Sequence, residues 1–239
     1  PDAADAQIVF VPSLRDPLGN DLAEPGIDRV TTYGGGTQTS NYYDSTIKPN
    51  TIWDRNYYAN IWTGNLGGGL LGYAQFPYNS TLPGMGSATD DPQTDGVVCL
   101  YSSIGSVANP HPDGGVYAAG RTLTHELGHW IGLRHIWGDA NCGNDYCDDT
   151  PQSTTSNSGC PSQTTCDGTQ DMVENYMDYT YDTCMDIFTY DQVNRMVTVL
   201  ENADGFDTLQ TSDVASPSAP IISFASTTGN TNEGSDCSY

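Results

Sequence analysis

The most constraining feature of this 239-residue chain is a short segment that holds three of its four histidines. The segment reads His125-Glu126-Leu127-Gly128-His129-Trp130-Ile131-Gly132-Leu133-Arg134-His135. Apolar residues with helical spacing in this region are Leu123, Leu127, Trp130 and Ile131. The pattern predicts a helix over about 116–132 that ends at Gly132. His125 and His129 are four residues apart, so they project from one helical face and can bind one ion.

The end of this helix predicts a third ligand for the same ion. Gly132 lets the chain turn, so His135 can return toward the first two imidazoles. Three imidazoles and one water form the open tetrahedral site of a catalytic zinc, whereas a structural zinc is closed by four protein ligands. Glu126 is adjacent to His125 and can reach a zinc-bound water without occupying a coordination position. His111, the fourth histidine, is interpreted as an ordinary loop residue.

The charge of the chain excludes several classes of partner. With 7 Lys and Arg against 30 Asp and Glu, the formal net charge is −23. Binding of nucleic acid depends on a basic footprint, and anionic membrane surfaces attract basic segments, so neither is an expected partner. No run approaches the roughly 20 apolar residues that span a bilayer. The many aromatic residues favour a folded protein.

The cysteines predict a disulfide-bonded, secreted protein. Five of the seven lie close together, at Cys142, Cys147, Cys160, Cys166 and Cys184. Their spacings lack the C-x₂₋₄-C pairs of a cysteine-ligated zinc, so disulfides are the favoured interpretation. An odd count leaves at least one thiol unpaired. Cys99 lies within the apolar run 97–101 and is predicted to be a buried strand residue.

Two lobes and an extension are expected along the chain. Strand-like runs at 8–11, 61–62, 70–76 and 96–101 precede the histidine helix and indicate an upper lobe over about 1–132. Residues 133–215 form a loop-rich lower lobe, which ends with a helix that begins at a capping box, Thr189-Tyr190-Asp191-Gln192. Residues 216–239 are rich in Ser, Thr and Gly and are predicted to be a C-terminal extension. The glycines at 67–69 form either a turn or a bulged edge strand able to pair with a peptide.

Beyond the histidine motif, the chain resembles the metzincin metalloproteases, in which a Met-turn follows this motif. The matching segment is Glu174-Asn175-Tyr176-Met177-Asp178-Tyr179. Segments at 60–62, 65–77, 120–122, 149–151, 159–161 and 175–179 are similar to the pappalysin family, and the resemblance covers roughly 50–200. It implies an α+β fold with a twisted mixed sheet and the active-site helix in the upper lobe, above an irregular, disulfide-bonded lower lobe.

The resemblance also implies an activity, namely a secreted zinc endopeptidase that hydrolyses peptide bonds with a zinc-activated water. Glu126 would act as general base and acid. Tyr179 would donate a hydrogen bond to the oxyanion, and Met177 would form an apolar floor beneath the metal. Substrates would bind as an extended strand along 70–76. Family members favour a basic residue just after the scissile bond, which implies an acidic pocket. Asp182 and Asp186 are its candidates, and either could instead be a surface carboxylate.

Calcium and specific disulfides are further expectations. No Lys or Arg lies between His135 and Arg195, yet eleven acidic residues do. Calcium would neutralise and crosslink such a region, and the resemblance places it in the loop after the zinc helix. The candidate ligands are Asp139, Asp145, Asp148, Asp149 and Thr150. The alternative is a solvated acidic loop. The bridges that the resemblance implies are Cys160 with Cys184, and Cys166 with either Cys147 or Cys142.

A second class of function stays open at this point, namely a metzincin-fold binding or adhesion module that has lost catalysis. The presence of Glu126, which an inactive descendant could readily lose, favours the enzyme. We expect a monomer that acts on protein or peptide substrates. We also expect it to be made with a signal peptide and a pro-segment that are absent from this chain.

Overall fold

The centre of the fold is a three-stranded mixed sheet. The computed structural model describes residues 3–85, 91–166 and 168–215, and the backbone of 222–223. The strands are β2 (Ile61–Gly64), β3 (Gly72–Ala74) and β4 (Val97–Leu100), in the order β2-β4-β3. β4 is parallel to β2 and antiparallel to β3. The α+β class with a mixed sheet is therefore confirmed, and β3 is an outer strand.

Successive residues of β4 pack on opposite faces of this sheet. Val97 and Cys99 belong to the main core together with Trp130, whereas Val98 belongs to a second cluster with Tyr43. All three β4 residues are fully buried. A strand that is covered on both faces has a continuous run of apolar residues in its sequence. This pattern predicted β4. Cys99 is accordingly a buried free thiol, as expected.

A helical segment over residues 40–51 covers the second face and was not predicted. It consists of α1 (Ser40–Tyr42), a π-helical turn (Tyr43–Ile47) and α2 (Lys48–Thr51). The helical period changes within the segment, and a proline follows Lys48. The sequence therefore lacks the 3.6-residue apolar repeat by which a helix is predicted. Lys48 is only 1% exposed, and its Nζ lies 2.8 Å from Asp44 Oδ1.

The histidine helix, α3 (Arg121–Trp130), is shorter than predicted. The chain forms a separate 3₁₀ turn at Gly115–Tyr117, and Gly120 adopts a left-handed φ of 84° that starts a new helix. At the other end, Gly132 has a φ of 97°, which ends the helix as expected. Trp130 Nε1 donates a hydrogen bond to the buried carboxylate of Asp95 at 2.6 Å. This bond ties the end of α3 to the segment before β4.

The second predicted helix is α4 (Tyr190–Asn202), and its capping box is confirmed. The Thr189 side chain accepts a hydrogen bond from the Gln192 backbone, and the Gln192 side chain accepts one from the Thr189 backbone. The Gln192 side chain also exchanges hydrogen bonds with Asn175. The start of α4 is thereby fixed to the turn that contains Met177. A short helix, α5 (Phe206–Leu209), follows.

Between α3 and α4 the chain is irregular and carries two disulfides. Cys160 is bonded to Cys184, as predicted. Of the two partners left open for Cys166, the structure joins Cys142, so the pairing with Cys147 is corrected. Cys147 is a buried free thiol because its loop turns inward, with the backbone N–H of Cys147 donating to Asp145 Oδ1 at 3.2 Å.

The chain ends contribute a small separate ladder, in which β1 (Val9–Phe10) pairs antiparallel with β5 (Ile222–Ser223). The remainder of the predicted extension at 216–239, including Cys237, lies outside the described residues. The division into an upper and a lower lobe stays a prediction. Over the parts of the chain that are described, no helix has the length and apolar character needed to cross a membrane.

Candidate metal centre and cleft

Three imidazoles meet at the end of α3. His125 and His129 project from the helix, His135 returns from the following turn, and their ligand atoms lie within 4.8 Å of one another. Across the described residues this is the only such group of three or more His, Cys, Asp or Glu. His129 Nε2 and His135 Nε2 are 3.1 Å apart, close to the separation of about 3.3 Å that a tetrahedral zinc with nitrogen ligands imposes. His111 lies elsewhere.

Each of these imidazoles is held through its Nδ1 atom, which leaves Nε2 free for a metal. The contacts are His125 to the Tyr176 carbonyl oxygen (2.7 Å), His129 to the Leu133 carbonyl oxygen (2.8 Å) and His135 to Asp139 Oδ1 (2.5 Å). Burial lowers the pKa of His125 to about 3 and lowers the pKa values of His129 and His135 as well. The rings are therefore neutral at pH 7, the form that binds a metal. The donor set fits zinc.

The side chain of Glu126 projects from α3 toward β3 and lines one cavity together with His125. Its carboxylate is not part of the three-histidine group, although it follows His125 directly. The side chain is 7% exposed and packs so closely under Gly72 that a Cβ there would lie 2.8 Å from Glu126 Cγ. Burial raises the pKa of Glu126 to about 8. Such a buried carboxyl facing a cleft can exchange a proton near neutral pH.

Met177 packs against α3 at Gly128. It is fully buried, and a Cβ on Gly128 would lie 2.6 Å from its Sδ. The glycine within the motif is therefore needed for this close approach. The Met177 backbone N–H donates to Asn175 Oδ1 at 2.8 Å, and the Asn175 side chain in turn exchanges hydrogen bonds with Gln192 at the start of α4. Met177 is thus fixed directly against the helix that carries His125 and His129.

Tyr179 packs over the triad from the solvent side. Its ring centroid lies 5.6 Å from that of His125 and 4.9 Å from that of His135. Burial raises the pKa of Tyr179, so its hydroxyl is protonated and can donate. Sequence reasoning missed Trp137. Its ring stacks on that of His135, with a centroid distance of 4.2 Å and an interplanar angle of 10°, and contacts Tyr179 edge-on. No sequence signal distinguishes this tryptophan from a core residue.

A cavity of about 240 Å³ opens beside His125 and Glu126 and contains one of the two acidic candidates. Asp182 lines it, with Oδ2 accepting from the backbone N–H of Ala119 at 2.7 Å. Asp182 Oδ1 is buried without a hydrogen-bond partner. Burial raises the pKa of Asp182, opposed by these backbone hydrogen bonds. Asp186 is exposed and does not line the cavity, so the structure separates the two candidates.

The five candidate calcium ligands make different contacts in the structure, and their assignment stays a prediction. Asp139 faces the triad, because its turn folds the side chain back, and its carboxylate oxygens contact His135 and Arg134. Asp145 accepts hydrogen bonds from Thr150 Oγ1 at 2.8 and 2.9 Å. Asp148 is exposed. Asp149 Oδ2 accepts from the Asp191 backbone N–H, while its Oδ1 is buried without a hydrogen-bond partner.

Comparison with known sequences gives consistent matches. The model of the Peptidase_M43 family, described as pregnancy-associated plasma protein-A, matches residues 41–201. An extracellular metalloprotease of Neurospora crassa is 41% identical over 135 residues, covering 54% of this chain and 43% of the relative. One from Pyricularia oryzae is 33% identical over 193 residues, covering 75% of this chain and 62% of the relative. The chain thus spans less than half the length of the first of these relatives.

Solved structures extend the similarity to the fold. Mature mirolysin of Tannerella forsythia, determined in complex with a cleaved peptide, superposes with a TM-score of 0.70 at 39% sequence identity. The match covers 87% of this chain and 76% of that chain. Mirolysin in complex with a small compound gives a TM-score of 0.68 at 40% identity, covering 89% of this chain and 75% of that chain. The family match over residues 41–201 includes the triad and the residues that line the cavity beside it.

Proposed function

This chain belongs to the Peptidase_M43 family, the pappalysin-type metzincins, and we propose on that premise that it is a secreted zinc-dependent endopeptidase. The observation that carries the proposal is the buried, neutral histidine triad with Glu126 beside it but outside the ligand set. His125, His129 and His135 would hold the metal. Zinc bound there supplies Lewis acidity toward the scissile carbonyl and makes its water more acidic. The extracellular relatives support secretion.

The residues around the triad account for the proton transfers. Glu126 takes the proton from the attacking water and passes it to the leaving amine, a role that its burial and its place in the cleft support. Tyr179 donates its hydroxyl proton in a hydrogen bond to the developing oxyanion, since its ring packs across His125 and His135. Met177, which is fully buried, would form an apolar floor beneath the metal and exclude water from that side of the site.

The outer edge of β3 is suited to bind a peptide backbone. The backbone groups of Leu71 and Gln75 form hydrogen bonds toward β4. The Leu100 N–H donates to the Leu71 carbonyl oxygen, and the Gln75 N–H donates to the Gly96 carbonyl oxygen. In an antiparallel ladder alternate residues face opposite sides, so Gly72 and Ala74 direct their N–H and C=O groups to the free edge. A substrate strand added there would pass over Glu126, which packs under Gly72. Mirolysin has been solved with a cleaved peptide, which supports peptide binding in this fold.

The cavity beside His125 supports a preference for Arg or Lys just after the scissile bond. Asp182 presents a buried carboxylate oxygen that no donor in the described structure occupies. A guanidinium or ammonium group would supply that missing donor together with the opposite charge. Asp186, being exposed and outside the cavity, has no part in this proposal.

The catalytic proposal is tested by incubating the protein with an Arg- and Lys-containing polypeptide, with and without a zinc chelator. We expect cleavage that the chelator abolishes and added zinc restores. Cleavage that resists the chelator would contradict the mechanism. Peptide binding without any cleavage in the zinc-loaded protein would instead favour the alternative, a catalytically silent binding module. A peptide library read by mass spectrometry reports the preferred residues in the same experiment.

We further propose that a structural calcium binds in the loop after the triad. The buried, unpartnered Oδ1 of Asp149 and the raised pKa of Asp145, about 6 because of burial, support a cation there. We leave Asp139 out of the proposed ligand set, because its two carboxylate oxygens already contact His135 and Arg134.

Calcium binding predicts a change in thermal stability. Protein reloaded with zinc alone should melt about 5 to 10 °C below protein reloaded with zinc and calcium, since a ligand at about a hundred times its Kd adds about 2.7 kcal/mol. Differential scanning calorimetry at fixed zinc measures the shift, with magnesium as the matched control cation. Equal Tm values in the two preparations would rule the calcium proposal out.

A further inference from the structure

The three imidazoles of the triad differ in what holds them. His125 and His129 each contact a backbone carbonyl through Nδ1, whereas His135 contacts a carboxylate, Asp139 Oδ1, at 2.5 Å. This contact lies on the edge of the ring opposite to Nε2, the atom that faces His129. Asp139 is therefore outside the ligand set and acts on the site through His135.

A tight turn brings Asp139 back onto the ring of His135. Gly138 and Asp139 both adopt left-handed backbone conformations, with φ of 62° and 57°. The Gly138 backbone N–H donates to the His135 carbonyl oxygen at 2.8 Å and closes the turn. A left-handed conformation is costly for most residues, but Asp tolerates it better than most.

The carboxylate of Asp139 is fixed from its other side by Arg134. Arg134 Nη2 lies 3.0 Å from Asp139 Oδ2 and also donates to the Gly138 carbonyl oxygen at 3.1 Å. Its Nη1 donates to the Gly84 carbonyl oxygen at 2.7 Å, which anchors the guanidinium to a separate loop. Both carboxylate oxygens are thus occupied. The stacked ring of Trp137 limits the rotation of His135 further.

A carboxylate on Nδ1–H has two effects on an imidazole ligand. It fixes the tautomer that leaves the Nε2 lone pair available, and it makes that nitrogen a stronger donor to a metal. A backbone carbonyl also fixes the tautomer, but it strengthens Nε2 as a metal ligand less than a carboxylate does. His135 is also the only one of the three ligands that lies on a loop, where no helix fixes its direction.

Resting on the proposed zinc function, we propose that Asp139 is a positioning residue that holds His135 as the third zinc ligand and thereby determines how tightly the protein retains the metal. Arg134 completes the arrangement by fixing the second carboxylate oxygen. No motif in the sequence indicates this role, because Asp139 lies four residues after His135 in a region already crowded with acidic side chains.

The test is zinc affinity in two variants that keep the backbone turn. Asp139→Gly removes the carboxylate at a φ that glycine adopts readily, and Asp139→Asn keeps an acceptor for Nδ1–H without the charge. Competition with a chromophoric chelator should show zinc affinity about 10- to 100-fold weaker for Asp139→Gly and an intermediate loss for Asp139→Asn. The visible spectrum of the cobalt-loaded protein should change in Asp139→Gly, because His135 is free to tilt.

The matched control is Glu201→Gln, which removes one negative charge from an exposed position on α4. It should leave zinc affinity and the cobalt spectrum within error of the parent protein. The positioning role is overturned if Asp139→Gly binds zinc within twofold of the parent, or if Glu201→Gln loses as much. A parent protein that binds no zinc would instead refute the proposed metal site itself, so the two failures are distinguishable.

Discussion

Replacing Glu126 by Gln is expected to lower kcat/KM for peptide hydrolysis by about 10²- to 10⁴-fold while zinc stays bound. A positioned general base contributes an effect of this size, and an amide cannot take up the proton of the attacking water. Gln keeps the volume of the side chain, which packs directly under Gly72. Because Glu126 lies outside the three-histidine group, the metal content should not change.

The electrostatics of the site explain why the charge at this position matters. Burial alone raises the pKa of Glu126 to about 8, which would leave much of the carboxyl protonated at pH 7. A nearby cation favours the ionised form, so loading with zinc should bring the group into the range of a working base. The measurement is steady-state hydrolysis of a quenched fluorescent peptide, paired with zinc analysis of each preparation. Glu201→Gln is the control, and a Glu126→Gln variant with parental activity would refute the assigned role.

The histidine site was predictable because its information is local in sequence. Two ligands four residues apart on one helix and a glycine that ends the helix suffice to place the third ligand nearby. The structure brings these imidazoles together. Met177 lies 42 residues beyond His135 along the chain, so only a resemblance to known proteins could associate it with the site.

Other features depend on distant contacts, which local sequence patterns do not report. The aromatic stack of Trp137 on His135 and the partner of Cys166 both follow from how irregular loops fold over one another. The role of Asp139 follows from two left-handed residues, a conformation that composition does not reveal. Asp182 and Asp186 also could not be distinguished from local sequence, because their sequence context is similar. Only the tertiary fold shows that Asp182 is buried.

Asp182→Asn is expected to reduce the preference for Arg or Lys over an apolar residue after the scissile bond by at least about 30-fold. Removing one partner of a buried charge pair costs about 2 kcal/mol or more, and each 1.4 kcal/mol is a factor of ten. Asn has nearly the same shape and can retain the hydrogen bond from the Ala119 backbone N–H, now 2.7 Å from Oδ2. The cavity should therefore keep its form while losing its charge.

Asp186→Asn is the matched control. Asp186 lies four residues after Asp182, is exposed and does not line the cavity, so the substitution removes an equal charge without changing the pocket. Its ratio of kcat/KM for basic to apolar peptides should stay within about twofold of the parent ratio, because exposed charges are screened by solvent and salt. Cleavage of the apolar peptide by Asp182→Asn should stay near the parental rate, which shows that catalysis is intact. If both variants keep the parental ratio, the selectivity arises elsewhere in the cleft; if both lose it equally, the general negative field of the protein selects the substrate.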